Sequence, residues 1–201
     1  MTRTTLDLTV PGVEPPPGVA VRMPIKFRGV EAWADVEIVS DEYARRARVG
    51  LGALKNRTAL EVLGTMPADV PIPRASLSMR ERRWIGRLPE GAVRLRQGAI
   101  TRLAVAPVRV VTAAVTVRDW KRGLQDATRF APYCRRILLL PEAPPDLVHL
   151  LVDANFFGVG IGIVGGDSVD WLAPPAEFKP HRYSISSWRF AEQVFDQMRR
   201  G

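Results

Sequence analysis

The fold class of this chain is predicted most clearly from residues 108–140, VRVVTAAVTVRDWKRGLQDATRFAPYCRRILLL. It opens with a β-branched run that carries no charge after Arg109, which is typical of a strand buried on both faces near the centre of a sheet. Asp119 can cap the helix that follows, in which an apolar stripe at helical spacing begins at Trp120. Residues 137–140 form a second apolar run of strand length. The order strand, helix, strand predicts an α/β protein.

Hydrophobic periodicity and turn residues predict further strands and helices on both sides of residues 108–140. Upstream, hairpin strands at 21–27 and 31–39 surround the turn Arg28-Gly29, and helices follow between 41 and 63. The remaining predicted elements are a capped helix from Ser78, a hairpin over 93–105 that turns at Gln97-Gly98, a helix over 146–157, strands over 159–164 and 168–172, and a helix over 187–200. Together they predict a mixed central sheet flanked by helices, with an N-terminal β-hairpin and a helical extension.

Domain organisation follows from length and proline content. The chain has 201 residues, which is enough for one domain with a single core. Residues 1–18 contain VPGVEPPPG and are predicted to be an extended proline-rich arm. Residues 19–201 are then predicted to be one α/β domain, with its core at about 79–173 and its last helix at 187–200.

Composition excludes several classes of protein. Apolar residues make up 46% of the chain, yet no window is apolar over the roughly 20 residues that a membrane span needs, so we expect no membrane partner. The first ten residues lack the apolar core of a secretory signal, so we expect a cytoplasmic protein. Cys134 has no second cysteine to pair with and no zinc ligands beside it in the sequence. We therefore expect a structural thiol and no cofactor.

Charge distribution bears most directly on function. The net charge is +8, from 29 basic residues, most of them arginine, against 21 acidic ones, and no acidic residue lies between Glu90 and Asp119. The planar fork of arginine suits phosphate, although an arginine-rich composition also follows from a GC-rich genome. The residues predicted to contact nucleic acid are Arg82, Arg83, Arg87, Arg94, Arg96, Arg102, Arg109 and Trp84. Trp84 could stack on an unpaired base or fill the core beneath its helix.

From Met79 onward the predicted order is helix, three strands, helix, strand, helix and two strands. Within it, VTVRDWKRGLQDATRF is followed by RRILLLPEAP and then by GVGIGIV. This order and these segments resemble the core of the PD-(D/E)XK, or restriction-endonuclease-like, nuclease superfamily. In one subgroup of that superfamily a Glu-x-Lys strand leads into an Asp-Trp helix start, and a Gly-Val-Gly strand follows. The resemblance implies a restriction-endonuclease-like core and a face that meets nucleic acid.

The catalytic residues of that superfamily have no counterpart in this chain. Active members hold one or two divalent ions with an upstream Asp and the Glu of Glu-x-Lys, and the Lys orients or activates water. Counted back from Trp120, the Glu and Lys positions of this degenerate motif fall on Ala114 and Thr116. Neither side chain supplies the carboxylate or the amine, so we expect no metal and no catalytic residue. Asp35 and Glu37 could replace the acids by migration, but a solvated strand face explains them better.

Three functions remain open at this point. We favour a catalytically inactive nuclease-like domain that binds nucleic acid, DNA rather than RNA, through its arginine-rich face. The alternative is a protein-interaction or scaffold subunit, or a homo-oligomer, for which 159–172 and the C-terminal helix could supply an apolar surface. An active metal-dependent nuclease with migrated acids is the third. The helices between 41 and 63 are also compatible with a helix-turn-helix element.

Overall fold

The computed structural model describes residues 20–166, 168–179 and 184–201, and the predicted arm at 1–18 lies outside them. Within these ranges the chain forms six α-helices, a six-stranded sheet with parallel and antiparallel pairs, and a three-stranded sheet. The predicted mixed α/β class is therefore confirmed, and so is the N-terminal hairpin, which turns at Arg28 and Gly29 with positive φ angles.

The strands are β1 (Ala20–Phe27), β2 (Val30–Ile38), β3 (Pro71–Pro73), β4 (Val93–Arg96), β5 (Ala99–Arg102), β6 (Val108–Thr116), β7 (Arg135–Leu140), β8 (Val159–Gly165) and β9 (Ser168–Ala173). The helices are α1 (Ser40–Val49), α2 (Arg57–Gly64), α3 (Met79–Ile85), α4 (Trp120–Thr128), α5 (Leu147–Phe157) and α6 (Ile185–Arg200), with a 3₁₀ turn at Arg74–Ser76.

The chain divides into two compact units. Unit 1 comprises the described parts of Met1–Glu37 and Val110–His181, and unit 2 those of Ile38–Arg109 and Arg182–Gly201. The six-stranded sheet, in the order β1-β2-β6-β7-β8-β9, belongs essentially to unit 1 together with α4 and α5. The small sheet, in the order β3-β5-β4, belongs to unit 2 together with α1, α2, α3 and α6.

The centre of unit 1 is the segment from which the fold class was predicted. The pairs β6/β7 and β7/β8 are parallel, and α4 and α5 are the crossover helices that such pairs require. Asp119 caps α4, since its carboxylate accepts the backbone N–H of Lys121 at 3.0 Å. Trp120 is buried and donates its indole N–H to Asp146 at 2.9 Å. The prediction of a core role for Trp120 is confirmed.

The glycines of GVGIGIV serve packing in β8. A Cβ atom added at Gly160 would lie 2.7 Å from the backbone nitrogen of Pro175, closer than any side chain tolerates. Glycine at this position therefore allows the segment after β9 to cross the sheet closely.

Unit 2 folds around one apolar cluster. Its buried members come from the helices, the small sheet and the segments between them: Leu51, Leu54, Leu60, Val62, Leu63, Met66, Leu77, Ile85, Ala92, Ile100, Ala104 and Trp188. Burying an aliphatic or aromatic side chain of this size contributes about 1.5–3 kcal/mol. The cluster therefore ties α2, α3, β5 and α6 into one body, which fixes where the arginines of α3 and β4 stand.

Several element boundaries in unit 2 differ from the predicted ones. α1 begins at Ser40, one residue before the predicted start at 41, and has no side-chain cap. The segment 66–77, for which no element was predicted, contains β3, which owes its strand geometry to pairing with β5. The last helix begins at Ile185, two residues before the predicted Ser187, because Ser184 accepts the backbone N–H of Ser187.

A buried ion network joins α1 to α6. Arg46 is 1% exposed, and its guanidinium forms a bidentate pair with Glu192, with N–O distances of 2.8 and 2.7 Å. Its Nε donates to Glu42 at 2.6 Å, and its remaining N–H groups reach the carbonyl oxygens of Val105 and Gly52. All five donors of this guanidinium thus have an acceptor.

The carboxylates of the network are equally well satisfied. Glu192 also accepts the N–H of Leu54 at 2.8 Å and the indole N–H of Trp188 at 2.9 Å. Burial, the largest effect on Glu42, acts to raise the pKa of this carboxyl, but hydrogen bonds from Arg45 and Arg46 outweigh it, so the pKa lies below its ordinary value. The pKa of Arg46 is raised because its pairing with Glu192 and Glu42 outweighs the effect of burial.

Among the described residues, none of the helices has both the length and the apolar character needed to cross a bilayer.

Replacing Glu192 by Gln should lower the free energy of unfolding of unit 2 by about 3–5 kcal/mol, because the buried charge of Arg46 then keeps only one of its two carboxylate partners. Urea denaturation followed by tryptophan fluorescence measures the loss. The matched control is Glu31→Gln, which removes the exposed pair with Lys26 and should change stability by less than about 1 kcal/mol. Equal effects of the two substitutions would contradict the structural role of the network.

Candidate nucleic-acid interface

The small sheet presents two arginines on its solvent-facing side. In the β4/β5 ladder, Arg94 lies opposite Thr101 and Arg96 lies opposite Ala99, so both arginines project from the same face. Both are exposed, and the intervening Leu95 faces the side that carries the buried Ile100. The predicted hairpin is present, and Arg94 and Arg96 lie on its exposed face.

A second group of arginines lies on α3. The inner side of this helix and the turn after it carries the buried Ile85 and the half-buried Trp84 and Leu88, which pack on the core of unit 2. The outer side carries the exposed Arg80, Arg83 and Arg87, spaced i, i+3 and i+7. Helical periodicity therefore gathers them into one row.

The start of α3 is held firmly. Ser78 accepts the backbone N–H of Glu81 at 3.3 Å, and the Glu81 carboxylate accepts the backbone N–H of Ser78 at 2.8 Å, so the predicted capping box is confirmed. Hydrogen bonds from Ser78, the largest effect, lower the pKa of the Glu81 carboxyl. Arg82 is exposed but donates its Nε–H to the carbonyl of Leu77 at 2.8 Å, which anchors it to the loop before α3.

Arg102 lies on the opposite face from Arg94 and Arg96. It pairs with Val93 in the ladder, is half-buried, and donates to the carbonyl of Leu63 at 3.2 Å. Its guanidinium also lies 5.3 Å from the ring centre of Trp188, within cation–π range. Arg102 therefore does not lie with the exposed arginines of the predicted set, because alternation along β5 turns its side chain towards the core.

The other two predicted contacts to place, Arg109 and Trp84, lie in different surroundings. Arg109 is exposed between the buried Val108 and Val110 on β6, which is a strand of the large sheet. Trp84 packs against the core of unit 2 while Arg87 lies 5.7 Å from its ring centre. Of its two interpretations, the structure favours core packing.

Two further exposed arginines lie on α3 or beside the hairpin although the predicted set omits them. Arg80 heads the outer row of α3, and the backbone N–H of Arg74 donates to the carbonyl of Gly98 at the hairpin tip, at 2.8 Å. The sequence signal for Arg80 was its helical spacing from Arg83 and Arg87. No local signal marked Arg74, since its position depends on the pairing of β3 with β5.

The arginines of unit 2 differ in how their charge is compensated. Arg45, Arg46, Arg57 and Arg200 form ion pairs with carboxylates at 2.6–2.9 Å. In the described part of the chain, no carboxylate lies within 4.0 Å of the following exposed arginines: Arg80, Arg83, Arg87, Arg94 and Arg96. We call these five residues the open arginine set. Their charge is available to an external anion.

The two positions of the degenerate motif have different surroundings. Ala114 is fully buried and clusters with Ile137 and Leu139, while Thr116 is exposed at the end of β6. Asp35, one of the acids considered for migration, is paired with Arg22 at 2.7 Å. Across the described ranges, no group of three or more His, Cys, Asp or Glu side chains is arranged to hold a metal ion.

Cys134 is fully buried, and its burial raises the pKa of the thiol far above the ordinary range. A thiol that stays protonated is a poor nucleophile and a poor metal ligand, so the expected structural role fits its surroundings.

Comparison with protein-family models, with curated proteins and with solved structures found no match to this chain. The resemblance to the PD-(D/E)XK superfamily therefore stays a prediction.

Replacing Arg102 by Ala should lower the free energy of unfolding by about 1–3 kcal/mol, because Leu63 loses a donor and Trp188 loses its guanidinium neighbour. Thermal denaturation measures the change. The control Arg94→Ala removes an exposed arginine from the other face and should leave the melting temperature nearly unchanged. If Arg94→Ala destabilises as much as Arg102→Ala, the assignment of the two faces is wrong.

Proposed function

We propose that this protein is a catalytically inactive, nuclease-like protein that binds nucleic acid in the cytoplasm through the arginines of α3 and the β4–β5 hairpin. The observation that carries the proposal is the open arginine set, in which five exposed guanidinium groups on neighbouring elements have no carboxylate within ion-pair distance in the described chain. By contrast, the exposed Arg57 of α2 is paired with Glu61 at 2.8 Å.

Phosphate is the anion that this set fits best. Guanidinium groups bind phosphate oxygens through two parallel hydrogen bonds, and a polyanion can engage several of them at once. Arg94 and Arg96 are two residues apart on one strand, so their Cα atoms lie about 7 Å apart. That spacing is close to the separation of neighbouring phosphates along a nucleic-acid strand.

The proposed loss of catalysis rests on the degenerate motif. A divalent ion needs hard oxygen ligands, and the two positions of the resembled Glu-x-Lys motif carry a methyl group and a hydroxyl group. The position of Ala114 is enclosed by Ile137 and Leu139, so a carboxylate there would be desolvated. Binding without cleavage is the function that this combination supports.

Affinity for nucleic acid should fall steeply with salt, with a slope reduced by about 0.9 for each phosphate contact removed on duplex DNA. The double variant Arg94→Ala/Arg96→Ala should therefore bind more weakly and show a slope lower by about 1.8. Fluorescence anisotropy at several salt concentrations measures both quantities, and added Mg²⁺ or Mn²⁺ should produce no cleavage.

The matched control is Arg57→Ala, which removes an exposed arginine already paired with Glu61 and should leave the slope unchanged. Absent binding, or binding that does not depend on salt, would overturn the proposal. Cleavage that depends on the metal and on Asp35 would establish the migrated-acid nuclease instead.

A second candidate function, self-association, is favoured by a different observation. Three apolar residues of α5 form a stripe spaced i, i+4 and i+8, in which Val148 is 73% exposed, Val152 63% and Phe156 81%. Phe157 beside them is 44% exposed. This surface differs from the predicted one, because β8 and the apolar positions of α6 are largely buried.

We infer that a second copy of this chain covers the α5 stripe. The four side chains present roughly 400–500 Å² of apolar surface, which is as large as the largest exposed patch on a typical monomer, and such patches are often functional. Two such patches facing each other would bury roughly 900 Å² in total, enough for a weak dimer. The helix carries few charges, Asp153 being its one acidic residue, so its surface suits its own copy better than a highly charged partner.

The substitution Val152→Lys should abolish this dimer, because two buried ammonium groups would then face each other across the two-fold axis. Sedimentation equilibrium measures the change, with a dissociation constant expected to rise by at least tenfold. The control Lys121→Ala alters an exposed residue of α4 and should have no effect. A wild-type chain that stays monomeric at high concentration would exclude self-association through α5.

A further inference from the structure

The order of elements around the open arginine set points to the form of nucleic acid that is bound. Along the chain, α2 is followed by β3, a 3₁₀ turn, α3 and the β4–β5 hairpin, and the small sheet has the order β3-β5-β4. β3 therefore pairs with the last strand of the hairpin, which places α3 between an anchored strand and a projecting hairpin. The sheet order and the hairpin after α3 match those of a winged helix-turn-helix element, with the 3₁₀ turn at Arg74–Ser76 in the place of the first helix of the helix-turn-helix.

We propose that the target is duplex DNA, with α3 in the major groove and the β4–β5 hairpin as a wing against the sugar–phosphate backbone. This inference rests on the proposed function, and it specifies the ligand and assigns different roles to two parts of the open arginine set. Arg80 and Arg83 on α3 would contact base edges, and Arg94 and Arg96 on the hairpin would contact phosphates.

The dimensions and exposure of α3 fit a major groove. An α-helix with its side chains is about 10–12 Å across, and the major groove of B-form DNA is about 12 Å wide. The outermost side chain at its start is Met79, an apolar residue that is 83% exposed. Arginine donors next to an apolar side chain match guanine O6 and N7 next to a thymine methyl group.

The hairpin has the rigidity that a wing needs. Gln97 and Gly98 have φ angles of 48° and 75°, which is the tight two-residue turn that matches strand twist. On the inner face, Arg102 fastens β5 to the carbonyl of Leu63 and to the ring of Trp188. Arg94 and Arg96 therefore project from a rigid hairpin, which lowers the entropic cost of binding.

The helices between 41 and 63 are less suited to the groove. Arg45 and Arg46 of α1 are bound to Glu42, and Arg46 is buried in the ion network. The one basic residue of α2, Arg57, is paired with Glu61, which leaves Arg48 of α1 as an exposed arginine of these two helices outside the ion pairs of the described residues. α3 is therefore better suited to the groove than the helix-turn-helix element expected at 41–63.

Fluorescence anisotropy with three labelled probes of one mixed sequence tests the inference: duplex DNA, single-stranded DNA and duplex RNA. The protein should bind duplex DNA at least tenfold more tightly than the other two, since the major groove of A-form RNA is too deep and narrow for a helix. The double variant Arg80→Ala/Arg83→Ala should lose this preference and keep the residual salt-dependent binding. Arg94→Ala/Arg96→Ala should weaken binding to all probes and keep the preference.

Competition identifies the groove. Methyl green, which occupies the major groove, should displace the protein, and a minor-groove ligand should not. Equal affinity for the three probes, or displacement by the minor-groove ligand alone, would overturn the duplex major-groove inference while leaving nucleic-acid binding in place. A lack of binding to every probe would instead remove the proposed function.

Discussion

One buried guanidinium sets the architecture of unit 2. Removing an ion from water costs several kcal/mol, and Arg46 offsets this cost because each of its five N–H donors has an acceptor. Those acceptors come from α1, α6 and two connecting segments, so the segments have to meet at one point. Glu192 then accepts the indole N–H of Trp188, whose ring lies beneath Arg102 of β5. The network thus reaches the hairpin whose outer face carries Arg94 and Arg96.

The arginines of unit 2 include two groups that composition cannot separate. Arg46 and Arg102 are buried or half-buried and stabilise the unit by satisfying acceptors within it. The open arginine set is exposed and lacks nearby carboxylates in the described chain. A net charge of +8 counts both groups equally, although the exposed group contributes more to the attraction of a polyanion.

Short-range sequence patterns predicted the caps and turns that depend only on neighbouring residues. The capping box at Ser78, the cap at Asp119 and the turn at Gln97-Gly98 are where short-range patterns placed them. β3 was missed, because a Pro-Ile-Pro segment becomes a strand only when β5 supplies the partner. The orientation of Arg102 followed from its alternation with Ile100, but the depth of its burial depended on α6, far along the chain.

The proposed binding surface consists of α3 and the β4–β5 hairpin. Hydrogen–deuterium exchange of the full chain, with and without a saturating DNA duplex, locates the surface that DNA covers. We expect protection on binding to concentrate within residues 79–102 and to leave the peptides of α4 and α5 unchanged. Protection confined to residues 110–165, or spread evenly over the chain, would contradict this binding surface.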